Sequence, residues 1–448
     1  MTVPEPAGRP ARPVTLVVST REVEDVPDLL SVLRPAAPQE TFSWVRRGDG
    51  IVGQGVAWRV DTSGPERMAR ADAAWRDVVG AADVHDEVGL AGTGLVALGS
   101  FAFHDHSPAG GSLVVPRVVV GRRAGRCWVT LVEPLPGAPA GAAADAVRAR
   151  WAAEHTHVAA ATPSPFPPTE PGQVWEHDGA LSAPRWAGVV ADVLARIDGG
   201  EVAKVVLARD VLATTQYPVD VRRMLARLAE SYTSCWTFSV DGLLGATPEL
   251  LVRRDRGLAA CRVLAGTVPR TGDERDDLRV ASALASSSKD LDEHEFAVAS
   301  LVAALEPYCT SMNVPDSPFV LRLPNVMHLA SDVTGAVRPR TNGDPTPSSL
   351  TLAAALHPTA AVGGTPTRDA VRIIAQVEGA DRGRYAGPVG WIAADGDGEW
   401  GIGLRSGAVL DPHTVRMHAG CGVVSGSVPA EELAESEAKF EPMRHSLR

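Results

Sequence analysis

The chain has few cysteines and no paired cysteine motif. Its five cysteines are widely scattered over 448 residues and include no Cys-x-x-Cys pair. This pattern excludes the usual cysteine-based zinc and redox motifs, and it favours a reducing, cytoplasmic compartment. The five are Cys127, Cys235, Cys261, Cys309 and Cys421.

Long apolar runs and an excess of basic residues are also missing. No stretch approaches the ~20 apolar residues of a membrane span, and Met1–Pro13 lacks the apolar core of a signal peptide. The net charge of -11 leaves no broad basic surface, which predicts no nucleic-acid partner and no membrane partner. A site for an anionic substrate must therefore supply its own cations.

The size and composition describe a large globular protein. With 45% hydrophobic residues, the 47.0 kDa chain can bury one very large core or two ordinary ones. An Ala- and Pro-rich segment ending near Gly172 divides a variable, β-rich part (1–172) from a part that carries the motifs (173–448). Strands and helices interleave irregularly, which predicts a large α+β fold with β-sheet layers surrounded by helices.

Several local elements follow from the pattern. Phe42–Val60 predicts a β-hairpin, Ala183–Ile197 a helix, and Val202–Arg209 a strand. Lys204 lies on an apolar face of that strand. A lysine there either extends its amine to solvent or serves as a general base.

Two acidic helices are expected. One opens near Ser286, and the second spans Ala430–Phe440, where Glu432, Glu435 and Lys439 share one face. Both are typical of solvated helices, and both would also suit a hard cation such as Mg²⁺.

Taken in order, these segments resemble the catalytic half of the chorismate-utilising enzymes, which include isochorismate, salicylate, anthranilate and aminodeoxychorismate synthases. The resemblance covers roughly residues 180 to 445 and includes the glycine-rich segments 356–366, 382–390 and 418–424. Such glycines let backbone amides approach a ligand closely. The resemblance implies the α+β fold of that family and a Mg²⁺-dependent reaction on chorismate.

The resemblance also assigns roles to residues. Lys204 matches the lysine that activates water for attack at ring carbon C2, and Glu249 matches the acid that protonates the departing C4 hydroxyl. Glu293 and Glu435 match the Mg²⁺-binding carboxylates, with Asp290 and Glu432 as nearby or water-mediated partners.

The remaining matches concern substrate binding. Arg405 and Tyr385 match the pair that binds the enolpyruvyl carboxylate. Gly420 and Gly422 match a turn whose amides face the substrate. Lys439 matches a lysine at the end of the site where Mg²⁺ binds. His328 matches a histidine beside the substrate ring, whose role the resemblance leaves open.

Residues at discriminating positions favour an isochorismate synthase. Relatives that use ammonia generally carry glutamine where Lys204 stands, so lysine indicates water as the nucleophile. Leu264-Ala265-Gly266-Thr267 replaces the Lys-Gly-Thr of aminodeoxychorismate synthases, and no Gly-x-Cys-x-Gly signature of a fused glutaminase occurs. Salicylate synthases tend to carry threonine at the position of Ala361.

Two alternatives stay open at this point: a salicylate synthase, and a catalytically silent chorismate-binding protein of the same fold. Menaquinone and siderophore synthesis both start at isochorismate, and no residue separates them. The chain is expected to be a monomer or a homodimer.

Overall fold

The computed structural model describes residues 14–136, 141–322, 326–339, 341 and 345–448, so Met1–Pro13 lies outside the described residues. Within these parts there are ten α-helices, and three short 3₁₀ turns at Leu29–Val32, Pro38–Glu40 and Glu306–Tyr308. The helices are α1 (Arg67–Ala81), α2 (Ala142–Ala153), α3 (Thr156–Ala161), α4 (Ala183–Asp198), α5 (Val221–Ser231), α6 (Glu274–Ser286), α7 (Ser288–Leu305), α8 (Ser349–Leu356), α9 (Thr367–Val377) and α10 (Pro429–Leu447).

The described strands number 23. They are β1 (Val14–Val23), β2 (Thr41–Arg46), β3 (Asp49–Gln54), β4 (Trp58–Thr62), β5 (Asp83–Asp86), β6 (Val96–Phe101), β7 (Gly111–Val115), β8 (Val118–Arg123), β9 (Arg126–Pro136), β10 (Val174–Asp178), β11 (Lys204–Thr215), β12 (Trp236–Val240), β13 (Leu243–Thr247), β14 (Leu250–Asp255), β15 (Leu258–Pro269), β16 (Cys309–Asn313), β17 (Phe319–Arg322), β18 (Val326–Val337), β19 (Gly364–Thr365), β20 (Pro388–Ala393), β21 (Gly398–Ile402), β22 (Ser406–Asp411) and β23 (Thr414–Val424).

The strands form two large sheets that are antiparallel except where β1 meets β5. The first sheet has the order β10-β11-β23-β22-β13-β12-β2-β3-β8-β9-β1-β5, with β19 also pairing β11. The second has the order β16-β18-β15-β14-β21-β20-β6-β7-β4, with β17 also pairing β18. Strands from both sides of Gly172 pair in each sheet, as β2 with β12 and β6 with β20.

The sheets pack face to face, and helices cover their outer surfaces. One apolar cluster draws Trp44 and Phe238 from the first sheet and Leu98, Val389 and Trp391 from the second. A second cluster joins the first sheet to α2, α5 and α10. The layered α+β architecture expected from the sequence is confirmed.

The local predictions give the right type of element, but some of the predicted ends differ from the structure by six or seven residues. The expected hairpin is β2 and β3, joined by Arg47 and Gly48, which both have positive φ (54° and 79°) as its tight two-residue turn requires. The helix predicted over Ala183–Ile197 ends one residue later, and the helix predicted over Ala430–Phe440 continues to Leu447.

None of the described helices combines the length and apolar character that a membrane crossing would require.

A glycine in β8 allows close packing of a buried indole. Gly121 pairs with Trp128 of β9, and a Cβ atom at position 121 would overlap the indole ring. We expect Gly121→Ala to lower the free energy of unfolding by about 1–3 kcal/mol, because the ring must move within a packed core. Urea-induced unfolding measures this change.

The matched control is Gly188→Ala on the exposed face of α4, where a Cβ meets no atom within 4 Å. Removing backbone freedom from the unfolded chain there should stabilise the protein by about 0.5–1 kcal/mol. Equal effects at the two positions would contradict the packing argument.

Candidate active site

Lys204 opens β11, and its side chain lies across the neighbouring strand. The register pairs Val206 of β11 with Gly422 of β23. A Cβ at position 422 would stand 3.0 Å from Cε of Lys204 and 3.8 Å from Nζ. Glycine at 422 therefore leaves the space that the lysine side chain occupies.

Glu249 approaches from the other sheet, directly before β14. Its backbone N–H donates to Oγ1 of Thr247 (3.3 Å), and its carbonyl accepts the N–H of Ile402 (3.1 Å). Burial raises the pKa of Glu249 to about 7, although the nearby Lys204 ammonium acts to lower that pKa. Base and acid candidates thus come from different sheets and lie within electrostatic range of each other.

One face of α10 carries three candidate residues. Nζ of Lys439 donates to Oε1 of Glu435 (2.5 Å) and to the carbonyl of Gly420 (2.8 Å). Oε2 of Glu432 is buried and has no hydrogen-bond partner among the described residues. The sequence pattern of α10 does bring these side chains together beside β23.

A second group converges on Gly266 of β15. Asp290, in the first turn of α7, lies beside it, with Oδ1 3.4 Å from the position of a Cβ at 266. The imidazole of His328, on β18, makes a hydrogen bond with the backbone of Gly266. Burial lowers the pKa of His328, and the Lys439 cation lowers it further, so His328 also lies within electrostatic range of α10.

Glu293 lies on α7 three residues after Asp290, but its side chain is outside the described part of the structure. Among the described side chains, no three His, Cys, Asp or Glu form a cluster that could hold a metal ion. The buried, unpaired oxygen of Glu432 nevertheless fits a cation, because such an oxygen is costly without a positive partner. The oxygen donors on α10 and α7 are of the kind that Mg²⁺ prefers.

Tyr385 is buried and stacks on the ring of His418, with centroids 4.9 Å apart. Burial raises the pKa of Tyr385 to about 12, and the cations Arg382 and Arg405 act to lower it. The phenol is therefore a neutral hydrogen-bonding group at physiological pH. Arg405 is half-buried with a left-handed backbone (φ 50°), and its carbonyl accepts the N–H of Ala246 (3.2 Å).

Ala361 is exposed on the loop between α8 and β19. Two residues later, the carbonyl of Gly363 accepts the N–H of Val206 at 3.0 Å, which holds this loop against the strand of Lys204. Gly420 lies on β23 against the backbone of Leu207 and Ala208, where a Cβ would collide. The two predicted glycines thus allow close packing on either side of Cys421.

Two residues at the site received no role from the sequence. Arg382 and Glu378 form a buried ion pair behind β11. The one sequence signal that could have pointed to them is a carboxylate four residues before an arginine at the end of a helical pattern. That spacing is common on exposed helices, so the pattern alone does not distinguish a buried pair.

The site therefore combines a lysine of the first sheet with a protonatable carboxyl at the start of a strand of the second, with carboxylates and cations around them. Comparison with known proteins identifies the class. A family model described as "Chorismate binding enzyme" matches residues 9–448. The chain belongs to this family.

Individual relatives agree with that assignment. The chain is 40% identical over 265 residues to isochorismate synthase DhbC of Bacillus subtilis. The aligned region covers 57% of this chain and 65% of that protein. The match thus spans slightly less than two thirds of that relative.

Solved structures match along nearly the whole chain. MenF, the menaquinone-specific isochorismate synthase from Escherichia coli, superposes with a TM-score of 0.77 at 26% identity, over 98% of this chain and 95% of that one. Anthranilate synthase component I from Streptococcus pneumoniae has a TM-score of 0.69 at 19% identity, over 92% and 93% of the two chains, which shows the shared fold.

The raised pKa of Glu249 predicts a pH-dependent stability. The folded carboxyl titrates near 7 and the unfolded one near 4.5, so this group favours the folded state at low pH. That contribution is lost as the pH rises through 7, and a shift of this size corresponds to roughly 3 kcal/mol. Glu249→Gln, which cannot ionise, should become more stable than the wild type as the pH rises from 4.5 to 8.

Urea unfolding of both proteins at several pH values measures the difference. A constant difference across this range would mean that Glu249 is not buried in the folded protein. Glu431→Gln is the control, since Glu431 is exposed on α10.

Proposed function

We propose that this protein is an isochorismate synthase that converts chorismate to isochorismate with Mg²⁺. In the proposed reaction, water adds at ring carbon C2, the ring double bond shifts, and the C4 hydroxyl leaves as water. Lys204 takes a proton from the attacking water, and Glu249 gives a proton to the departing hydroxyl. The reaction has no net change in composition and needs no second substrate.

The observation that carries this proposal is the pairing of Lys204 with Glu249. A general acid works best when its pKa lies near the operating pH, and burial brings the pKa of Glu249 to about 7. A carboxyl with such a pKa is partly protonated in neutral solution, so that a fraction of the molecules can donate a proton to a leaving hydroxyl. The two groups come from different sheets, which suits a six-membered ring that both must reach.

The carboxylates of α7 and α10 suit a Mg²⁺ ion. Glu293 and Glu435 would be its ligands, with Asp290 and Glu432 nearby or bound through water. A bound ion would hold the ring carboxylate of chorismate and draw electron density from the ring. Lys439, which bridges Glu435 and Gly420, limits mutual repulsion among these acids.

Chorismate is a dianion, so a protein with a net charge of -11 needs local cations to bind it. Arg405 and Tyr385 suit the enolpyruvyl carboxylate, since a guanidinium and a neutral phenol both donate hydrogen bonds to it. His328, Gly420 and Gly422 would line the remaining substrate surface. Lysine at 204 and alanine at 361 support water as the nucleophile and isochorismate as the final product.

Activity is the direct test. With chorismate and Mg²⁺, the purified protein should form isochorismate without salicylate or pyruvate, as separated by chromatography. Lys204→Ala and Glu249→Gln should each lower kcat by about 10²–10⁴, because each removes one proton-transfer group. Circular dichroism should remain that of the wild type.

Accumulation of salicylate and pyruvate would instead identify a salicylate synthase. Chorismate binding without turnover would identify a silent binding protein. Near-normal turnover by either variant would remove that residue from the mechanism.

Metal binding provides an independent prediction. Glu435→Gln should weaken Mg²⁺ binding at least tenfold in calorimetric titrations without substrate, because it removes a charged oxygen donor. Glu431→Gln, four residues earlier on the same helix and exposed, should leave the Mg²⁺ dissociation constant within twofold of the wild type. Equal behaviour of the two variants would exclude Glu435 as a ligand.

A further inference from the structure

The strand that carries Lys204 has an incomplete edge. On one side, β11 pairs with β23 from Lys204 to Thr214. On the other side, the described residues provide strand partners only at Lys204 and Val205, from β19, and again from Val211 onward, from β10. The outward backbone groups of Val206 and Ala208 fall between these two partners.

Buried side chains complete this edge. Nη2 of Arg382 donates to the carbonyl of Val206 (2.6 Å), and Oε1 of Glu378 accepts the N–H of Ala208 (2.7 Å). Nε1 of Trp186 donates to the carbonyl of Ala208 (3.0 Å). Buried backbone groups need such partners, and here an ion pair supplies two of them.

The same pair fixes the loop that faces Lys204. Nη1 of Arg382 donates to the carbonyl of Val362 (3.1 Å), next to Gly363, whose carbonyl accepts the N–H of Val206. Nε of Arg382 donates to Oε2 of Glu378 (2.8 Å). Arg382 also lies over the ring of Phe103, 4.3 Å from its centroid, and is only 3% exposed.

We propose that Arg382 and Glu378 are positioning residues for Lys204. They bond the backbone groups of Val206 and Ala208 that a neighbouring strand would otherwise pair. In this way they fix the position and direction of the Lys204 amine relative to Glu249. This inference rests on the proposed function insofar as Lys204 is the base, but the placement of the amine can be measured without turnover.

The composition of the chain makes that measurement direct. Lys204, Lys289 and Lys439 are the only lysines in the sequence. Trace acetylation with acetic anhydride, followed by peptide mass spectrometry, reports the reactivity of each amine separately. The acetylation rate at Lys204 divided by the rate at Lys289 then measures the accessibility and reactivity of the Lys204 amine against an internal reference.

Glu378→Gln is the test variant, because glutamine keeps an acceptor for Ala208 but removes the charge that orients Arg382. We expect the Lys204 to Lys289 ratio to change at least threefold, and kcat to fall at least tenfold with KM for chorismate within threefold. The pH dependence of kcat should also shift, whereas Mg²⁺ binding should not change. Arg382→Lys, which keeps the charge, should change the ratio in the same direction by a smaller factor.

Asp397→Asn is a matched control. Asp397 is also buried, pairs with Arg254 and accepts a backbone N–H, that of Arg256, but it lies at the other end of β14 from Glu249. The Asp397→Asn variant should lose about as much thermal stability as Glu378→Gln. It should leave the Lys204 to Lys289 labelling ratio and the pH dependence of kcat unchanged.

An unchanged Lys204 ratio in Glu378→Gln, or an equal change in Asp397→Asn, would overturn the proposal. So would failure of both test variants to fold while Asp397→Asn folds, since the pair would then serve stability alone. Absence of isochorismate formation by the wild type would refute the proposed function separately, because the labelling ratio does not depend on turnover.

Discussion

The antiparallel pairing of β11 with β23 is the constraint on which the site depends. It runs without interruption from Lys204 opposite Val424 to Thr214 opposite Thr414. Because side chains alternate between the two faces of a strand, a shift of one residue would turn Lys204 away from Gly422 and toward the opposite face of the sheet. The length of this pairing and the burial of both strands exclude such a shift. The backbone that carries Lys204, the proposed base, is thereby held by hydrogen bonds between strands, which make it more rigid than a loop.

Glu249, the proposed acid, is held in a different way, by the packing of one sheet on the other. Glu249 is tied to the second sheet through its carbonyl and Ile402, and large aromatic side chains such as Trp44 and Trp391 fill the space between the sheets. The packing also creates the low-polarity surroundings that raise the pKa of Glu249 to about 7. Position and protonation state of the acid therefore have the same physical origin.

The sequence predicted those parts of the structure that local patterns determine. The Arg47–Gly48 turn, the helix before Lys204 and the shared face of Glu432, Glu435 and Lys439 each follow from spacing within one element. The Glu378–Arg382 pair and the approach of Asp290 and His328 to Gly266 were not predicted. The contacts at Gly266 join segments far apart in the chain. The four-residue spacing of Glu378 and Arg382 is local, but it is equally common on exposed helices. Resemblance to a family predicted the candidate site residues, but only the packing relates them to one another.

The segment Gly420-Cys421-Gly422 connects Lys204 to the acidic face of α10. Gly422 leaves room for the side chain of Lys204, and the carbonyl of Gly420 accepts a hydrogen bond from the ammonium of Lys439. Between them, the thiol of Cys421 donates to the carbonyl of Glu432 at 3.7 Å. Since β11, β23 and α10 are joined in this way, we expect the lysine and the α10 carboxylates to move together. A displacement of one sheet against the other would therefore change the distance from these groups to Glu249 before it changed the distances among them.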